Sequence, residues 1–311
     1  DELFCLDLLD KIGSENITDE ELQQALENAK SNENLYNKQV ASLRVYYKDL
    51  EENRHKQIEI EKQEAAEQPV NNKRVKGYRD MSNTIAHLAV ARELLKKCPN
   101  LIHNERAYYL GTLAPDTIGG KPDYKREDKK KVHLREDIPD TKWLEPELMA
   151  IFTERVNAFA QEHIVNESDA DQRDFNIGYF VHLLTDKYNH EIIRQKLLKK
   201  TIERGVVSSV REFYHTCVHD LEALDSYLLE SYPKLGDLFS ELTSKEIDYC
   251  LPGWIEKQYI KNSIWWWNNH YLPGIKEQEL LYLATEDMEE FITYSVSKIA
   301  EELNVVVGDN E

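Results

Sequence analysis

The chain has 311 residues and a formal net charge of −19, with 58 acidic against 39 basic side chains. A field of that sign repels nucleic-acid backbones and anionic lipid surfaces, so any phosphate chemistry needs local positive charge of its own. A hydrophobic fraction of 41% supports a core, while the scarcity of Gly (11) and Pro (9) favours helices, so the expected fold class is all-α. The four cysteines, Cys5, Cys98, Cys217 and Cys250, form no CxxC pair, which argues against a cysteine zinc site and a disulfide framework. No apolar run reaches the length of a membrane span. Cysteine usage leans towards a reducing compartment, so a cytoplasmic location is expected, although a first residue of Asp is also compatible with a removed leader.

Residues 1–75 read as an N-terminal helical extension. Thr18 and Glu21 match a capping box, and an apolar pattern follows through Leu22, Ala25, Leu35, Val40, Leu43, Tyr46 and Leu50. Residues 51–67 are dense in Glu, Lys and Gln, as in a solvated helix or linker. The segment PVNNKRVK at 69–76 marks the boundary, and residues 76–311 form the expected metal-binding helical domain.

The second part opens with a helix capped by Ser82 or Asn83 and stopped by Pro99, carrying His87 near its apolar face. The run YYLGTLAPD at 108–116 ends a helix at Pro115, leaving Asp116 where helix gives way to loop. Residues 117–131 hold two glycines, a proline and the run KREDKKK, most simply a solvated loop, and His133 follows it. Further helices are expected over residues 145–163, 175–198, 210–230, 251–271 and 277–303. Three consecutive tryptophans, Trp265, Trp266 and Trp267, cannot share one helix face, so at least one is expected in the core.

The stretch GYFVHLLTDKYNH at 178–190 carries the chemistry. Its His182, Asp186 and His190 are each four residues apart, and a step of four drifts only about 40° around a helix axis. They form a narrow polar stripe within apolar surface. Neutral imidazole and carboxylate are good zinc ligands, and a carboxylate can bridge two ions. The plain alternative is a helix whose His and Asp are hydrogen-bonded within the core. Beyond this stripe, His87, Asp116, His133, His219 and Glu222 complete a set of eight metal-capable residues on several helices, the way helical bundles build multi-metal sites.

With TIAH at 84–87, LGTLAPD at 110–116, VH at 132–133, GYFVHLLTD at 178–186 and the segment from His219 through Asp225, the chain resembles the zinc-dependent phospholipase C family, whose fold the single-strand-specific zinc nucleases share. The likeness covers residues 81 to about 230. It implies an all-helical bundle with one to three zinc ions, two being the expected number. By that resemblance His133, His182 and Asp186 hold one ion, Asp186 bridges to a second also bound by His87, and His190, His219 and Glu222 hold a third. Asp116 would be the general base that orients the attacking water. Secreted members complete one site with their N-terminal residue, whereas more than eighty residues precede His87 here. His219 and Glu222 are three apart rather than four, and His215 competes with His219.

The expected function is thus a zinc-dependent phosphoesterase acting on a small-molecule or lipid phosphodiester. The alternatives are a non-catalytic helical protein stabilised by metal, and a single-strand nuclease of the same fold, against which the charge of −19 argues.

Overall fold

A computed structural model describes residues 84–139, 142, 145–206 and 218–308. The expected extension over residues 1–75, the candidate caps Ser82 and Asn83, and His215 lie outside the described residues. Among the described residues the fold is all-α, with one isolated antiparallel bridge between Leu251 and Ile255.

Helix α1 (Thr84–Lys97) ends with Lys96 and Lys97, whose charges suit the carbonyl end of a helix. Helix α2 (Glu105–Leu113) starts at Asn104, whose side chain accepts the Ala107 N–H at 3.1 Å. Pro115 has no N–H to offer the Gly111 carbonyl, which accepts from Ala114 instead. The chain tightens there into a 3₁₀ turn (Ala114–Gly120) that carries Asp116.

The charged run expected to be a solvated loop is instead helix α3 (Arg126–Val132). The Asp128 carboxylate accepts the Lys125 N–H at 2.8 Å at its start. Glu127 and Asp128 lie in its first turn and Lys129, Lys130 and Lys131 in its last, so the charge order matches the helix dipole. The alternation of charge that suggested solvent is here a pair of end caps.

Helix α4 (Pro146–Ala160) loosens into a π turn (Gln161–Val165). Helix α5 (Ala170–Asn189) is capped by Asp169, which accepts the Gln172 N–H, and passes through a π turn (His190–Arg194) into α6 (Gln195–Glu203). Helices α7 (Val218–Ser231), α8 (Lys234–Thr243), α9 (Lys257–Trp266) and α10 (Thr285–Gly308) follow. Trp267, in the π turn after α9, is fully buried edge-on to Phe239, whereas Trp265 is 54% exposed, so the tryptophan run divides between core and surface.

Helix α5 is the axis of the packing. It lies against α1, α4 and α10, and most extensively against α2. Two glycines set the α2–α5 crossing. A Cβ on Gly111 would fall 1.8 Å from the Phe175 carbonyl oxygen, and one on Gly178 would fall 2.0 Å from that of Tyr108. Both obstacles are helical backbone, which cannot swing aside as a side chain can. Helix α9 clamps the 3₁₀ turn: Ser263 donates to the Thr117 carbonyl at 3.0 Å and Asn262 to that of Gly120 at 3.1 Å.

Gly111→Ala and Gly178→Ala are each expected to cost about 3 kcal/mol or more, through forced separation of packed helices. Gly236→Ala on α8, whose added methyl meets only a leucine methyl at 3.9 Å, is expected to be neutral or to stabilise by up to about 1 kcal/mol. Urea unfolding of the three variants checks this. Equal stabilities for all three would contradict the close crossing.

Candidate metal centre

Five of the eight expected residues converge. His87 comes from α1, Asp116 from the 3₁₀ turn, His133 from the C-terminal cap of α3, and His182 and Asp186 from α5. Among the described residues they form two ligand-capable groups, His87 with Asp116 and His182, and His133 with His182 and Asp186. His87, Asp116, His133 and His182 are buried, and Asp186, with 22% of its side chain exposed, opens the cluster to solvent.

The close crossing of α2 and α5 carries the Thr112 carbonyl to 2.8 Å from His182 Nδ1. The Lys129 carbonyl stands 2.9 Å from His133 Nδ1. A carbonyl only accepts, so each ring carries its proton on Nδ1 and turns the lone pair of Nε2 inward. These two Nε2 atoms face each other at 3.2 Å. Two lone pairs at that distance repel unless a cation lies between them. A proton is poorly suited to the role. Burial pushes the His182 pKa well below the ordinary value, helped by His87, and burial likewise lowers that of His133.

The carboxylates hold the opposite charge. Burial alone would push both pKa values up. For Asp116 the Lys129 ammonium, 3.2 Å away, outweighs it and holds the carboxyl well below its usual range. For Asp186 the neighbouring His87 does the same. His87 Nε2 lies 3.3 Å from Asp186 Oδ1, and His133 Nε2 lies 3.4 Å from Asp116 Oδ1 and 3.8 Å from Asp186 Oδ2. Zinc bonds of about 2.0–2.1 Å in tetrahedral array place neighbouring ligand atoms about 3.3–3.4 Å apart, so these separations suit a shared small cation. Stacking of His87 on His182, with centroids 3.9 Å apart and planes inclined at 17°, fixes the rings further.

His190, His219 and Glu222 stand outside both groups. His190 is buried where α5 loosens into the π turn; burial lowers its pKa, and the Arg194 and Arg135 guanidinium groups lower it further, an environment that repels a cation. His219 is 40% exposed and pairs with the neighbouring Asp220 at 3.2 Å, while Asp220 also accepts the backbone N–H groups of Leu281, Tyr282 and Leu283. Glu222 is exposed.

Helix α7 turns two carboxylates inward, Asp220, held by those backbone N–H groups, and Asp225. Asp225 follows the buried stripe Leu221, Leu224 and Leu228, whose spacing signals a core-facing position in the sequence itself. Tyr271 donates to Asp225 Oδ2 at 2.5 Å. Burial raises the Asp225 pKa to about 7, against the lowering by Tyr271 and by the nearby His87. Lys129 is the other residue whose place here the sequence reading did not foresee.

Family models, curated proteins and solved structures yield no match to the chain.

Asp225 gives a pH dependence with a definite sign. Its folded pKa lies above the unfolded value of about 3.9, so the folded state holds a proton that the unfolded chain has lost. The stability tied to the neutral carboxyl is present at low pH and is lost as pH rises through about 7. The metal-free wild type is expected to lose about 2–3 kcal/mol relative to Asp225→Asn between pH 5 and 8. Denaturant melts of the two proteins at both pH values check this, and a constant difference would contradict a neutral Asp225.

Proposed function

We propose that the chain is a metal-dependent phosphoesterase, with zinc held among His87, Asp116, His133, His182 and Asp186, acting on a small-molecule or lipid phosphodiester. The observation that carries the metal reading is the pair of inward lone pairs on His133 and His182, 3.2 Å apart, with two ionised carboxylates beside them. The donor set fits the ion: neutral imidazoles and carboxylates are the nitrogen and oxygen ligands zinc takes. Bound there, zinc would supply Lewis acidity, making water more acidic and neutralising charge on phosphoryl oxygens.

The chain's own groups supply the rest. The hydrogen bonds from His182 to Thr112 and from His133 to Lys129 hold both rings in one tautomer, as the partners of metal-binding histidines do. Asp116 is rigidly placed and ionised, which suits it to orient a water molecule and accept its hydrogen bond. The partial exposure of Asp186 gives substrate a way in on the carboxylate side. The phosphodiester class rests on the resemblance carried by LGTLAPD at 110–116 and HLLTD at 182–186. The net charge of −19 favours a small or headgroup substrate over a nucleic acid.

Loaded with zinc and desalted, the protein is expected to retain one to two equivalents, and chelation should lower its melting temperature. It should hydrolyse at least one member of a phosphodiester panel. Asp116→Asn should reduce that turnover by about 10²–10⁴-fold. Metal content measured on the same sample separates loss of water orientation from loss of a ligand. Less than half an equivalent of any transition metal after loading would refute the metal reading. Full loading with no hydrolysis across the panel would favour metal serving the fold alone.

A further inference from the structure

Lys129 is an unexpected side chain at a metal centre. It lies in the last turn of α3, its side chain is only 14% exposed, and its Nζ stands 3.2 Å from Asp116 Oδ1. Its neighbours in the basic run go elsewhere: Lys130 donates to the Ile138 carbonyl, and Lys131 is exposed. A half-turn of helix thus sends one ammonium of three inward. The position is also fixed from the backbone, because the Lys129 carbonyl accepts both the His133 N–H and the His133 ring. At the residue before His133, the Val132 carbonyl accepts from Tyr179 of α5.

An ammonium beside a cation site is electrostatically costly. Metal ions and Lys129 repel each other, and two carboxylates leave the centre with surplus positive charge once metal is bound. A site that serves only to hold metal gains from this lysine no more than an ionised Asp116. A site that receives an anion gains a fixed positive group beside the ions, on a compact, strongly hydrated head that binds phosphate as a point charge. In a chain of net charge −19, such local positive charge is what an anionic ligand needs.

We propose that Lys129 is a substrate-binding residue whose ammonium, tethered by Asp116, binds a non-bridging oxygen of the phosphoryl group. This rests on the phosphoesterase reading and adds to it. The ligand chemistry is a tetrahedral phosphate oxyanion, carried by a soluble ester or by a lipid headgroup.

The test uses the full zinc-loaded chain, with inorganic phosphate titrated by calorimetry into wild type, Lys129→Met and Lys129→Arg. Losing a charged hydrogen bond should weaken phosphate binding about 10- to 100-fold in Lys129→Met, at unchanged zinc content, while Lys129→Arg stays within a few-fold of wild type. Lys129→Gln, which keeps a donor for Asp116 without the charge, gives the same reading if the methionine variant does not fold. Turnover of bis(p-nitrophenyl) phosphate and of phosphatidylcholine vesicles then separates the two sources: KM should rise in Lys129→Met for the one the site uses. Wild type that hydrolyses a phosphodiester while Lys129→Met binds phosphate equally well overturns the role of Lys129 and leaves the phosphoesterase reading standing. Tighter zinc binding in Lys129→Met with phosphate affinity unchanged would make the lysine a mere counter-charge to Asp116, which also overturns it. Zinc-loaded wild type that neither binds phosphate nor turns over any ester overturns both.

Discussion

The centre depends on how closely two helices approach. Where Gly111 of α2 meets Phe175 of α5, and Gly178 of α5 meets Tyr108 of α2, there is no room even for a methyl group. That contact brings the backbone of α2 near enough for the Thr112 carbonyl to accept from His182 Nδ1 at 2.8 Å. The tautomer of His182 follows from this bond, and the direction of its free lone pair follows from the tautomer. A wider crossing would leave the ring free to rotate and its buried nitrogens unpaired, at a cost of about 1–3 kcal/mol for each unsatisfied group. The packing of two helices and the chemistry of one imidazole are therefore a single constraint.

A second constraint is electrostatic. Burial disfavours charge on every group in the cluster, yet it acts oppositely on acids and bases. His133 and His182 respond by becoming harder to protonate, which keeps them available as ligands. Asp116 and Asp186 would respond by becoming neutral, but Lys129 beside the first and His87 beside the second reverse that and keep them anionic. Among the described residues Asp225 has no cation within ion-pair distance, accepts from the Tyr271 hydroxyl, and yields to burial. Asp116, Asp186 and Asp225 thus divide into two fixed anions and one proton-holding group, according to what faces each.

Much of this was legible in the sequence, for identifiable reasons. His182 and Asp186 announce themselves because steps of four share a helix face, and the all-helical class follows from composition. His190 continues the same arithmetic, its N–H still bonding the Asp186 carbonyl, yet it stands outside the cluster, beside the Arg135 and Arg194 guanidinium groups. On α7 the Leu221, Leu224 and Leu228 stripe places Asp225, and not Glu222, on the core-facing side. The role of Lys129 was hidden by its setting, since a run such as KREDKKK reads as solvent-facing until the helix is drawn and one lysine turns inward. The glycines of the crossing were visible only as letters, because what they avoid is a neighbour 64 or 70 residues away (Gly111 to Phe175, Gly178 to Tyr108).

The exposure of the side chains gives the centre a direction. The three imidazoles and Asp116 are buried, and the partial openings lie at Asp186 and Lys129. A molecule approaching from solvent therefore meets a carboxylate and an ammonium before it meets nitrogen ligands. The carboxylate would repel an anion if it stood alone, and with its charge taken up by a cation it ceases to do so. The ammonium attracts an anion in either state. On the proposed phosphoesterase reading, access for a phosphoryl group would follow loading of the site rather than precede it, an order set by which side chains the fold leaves at the surface.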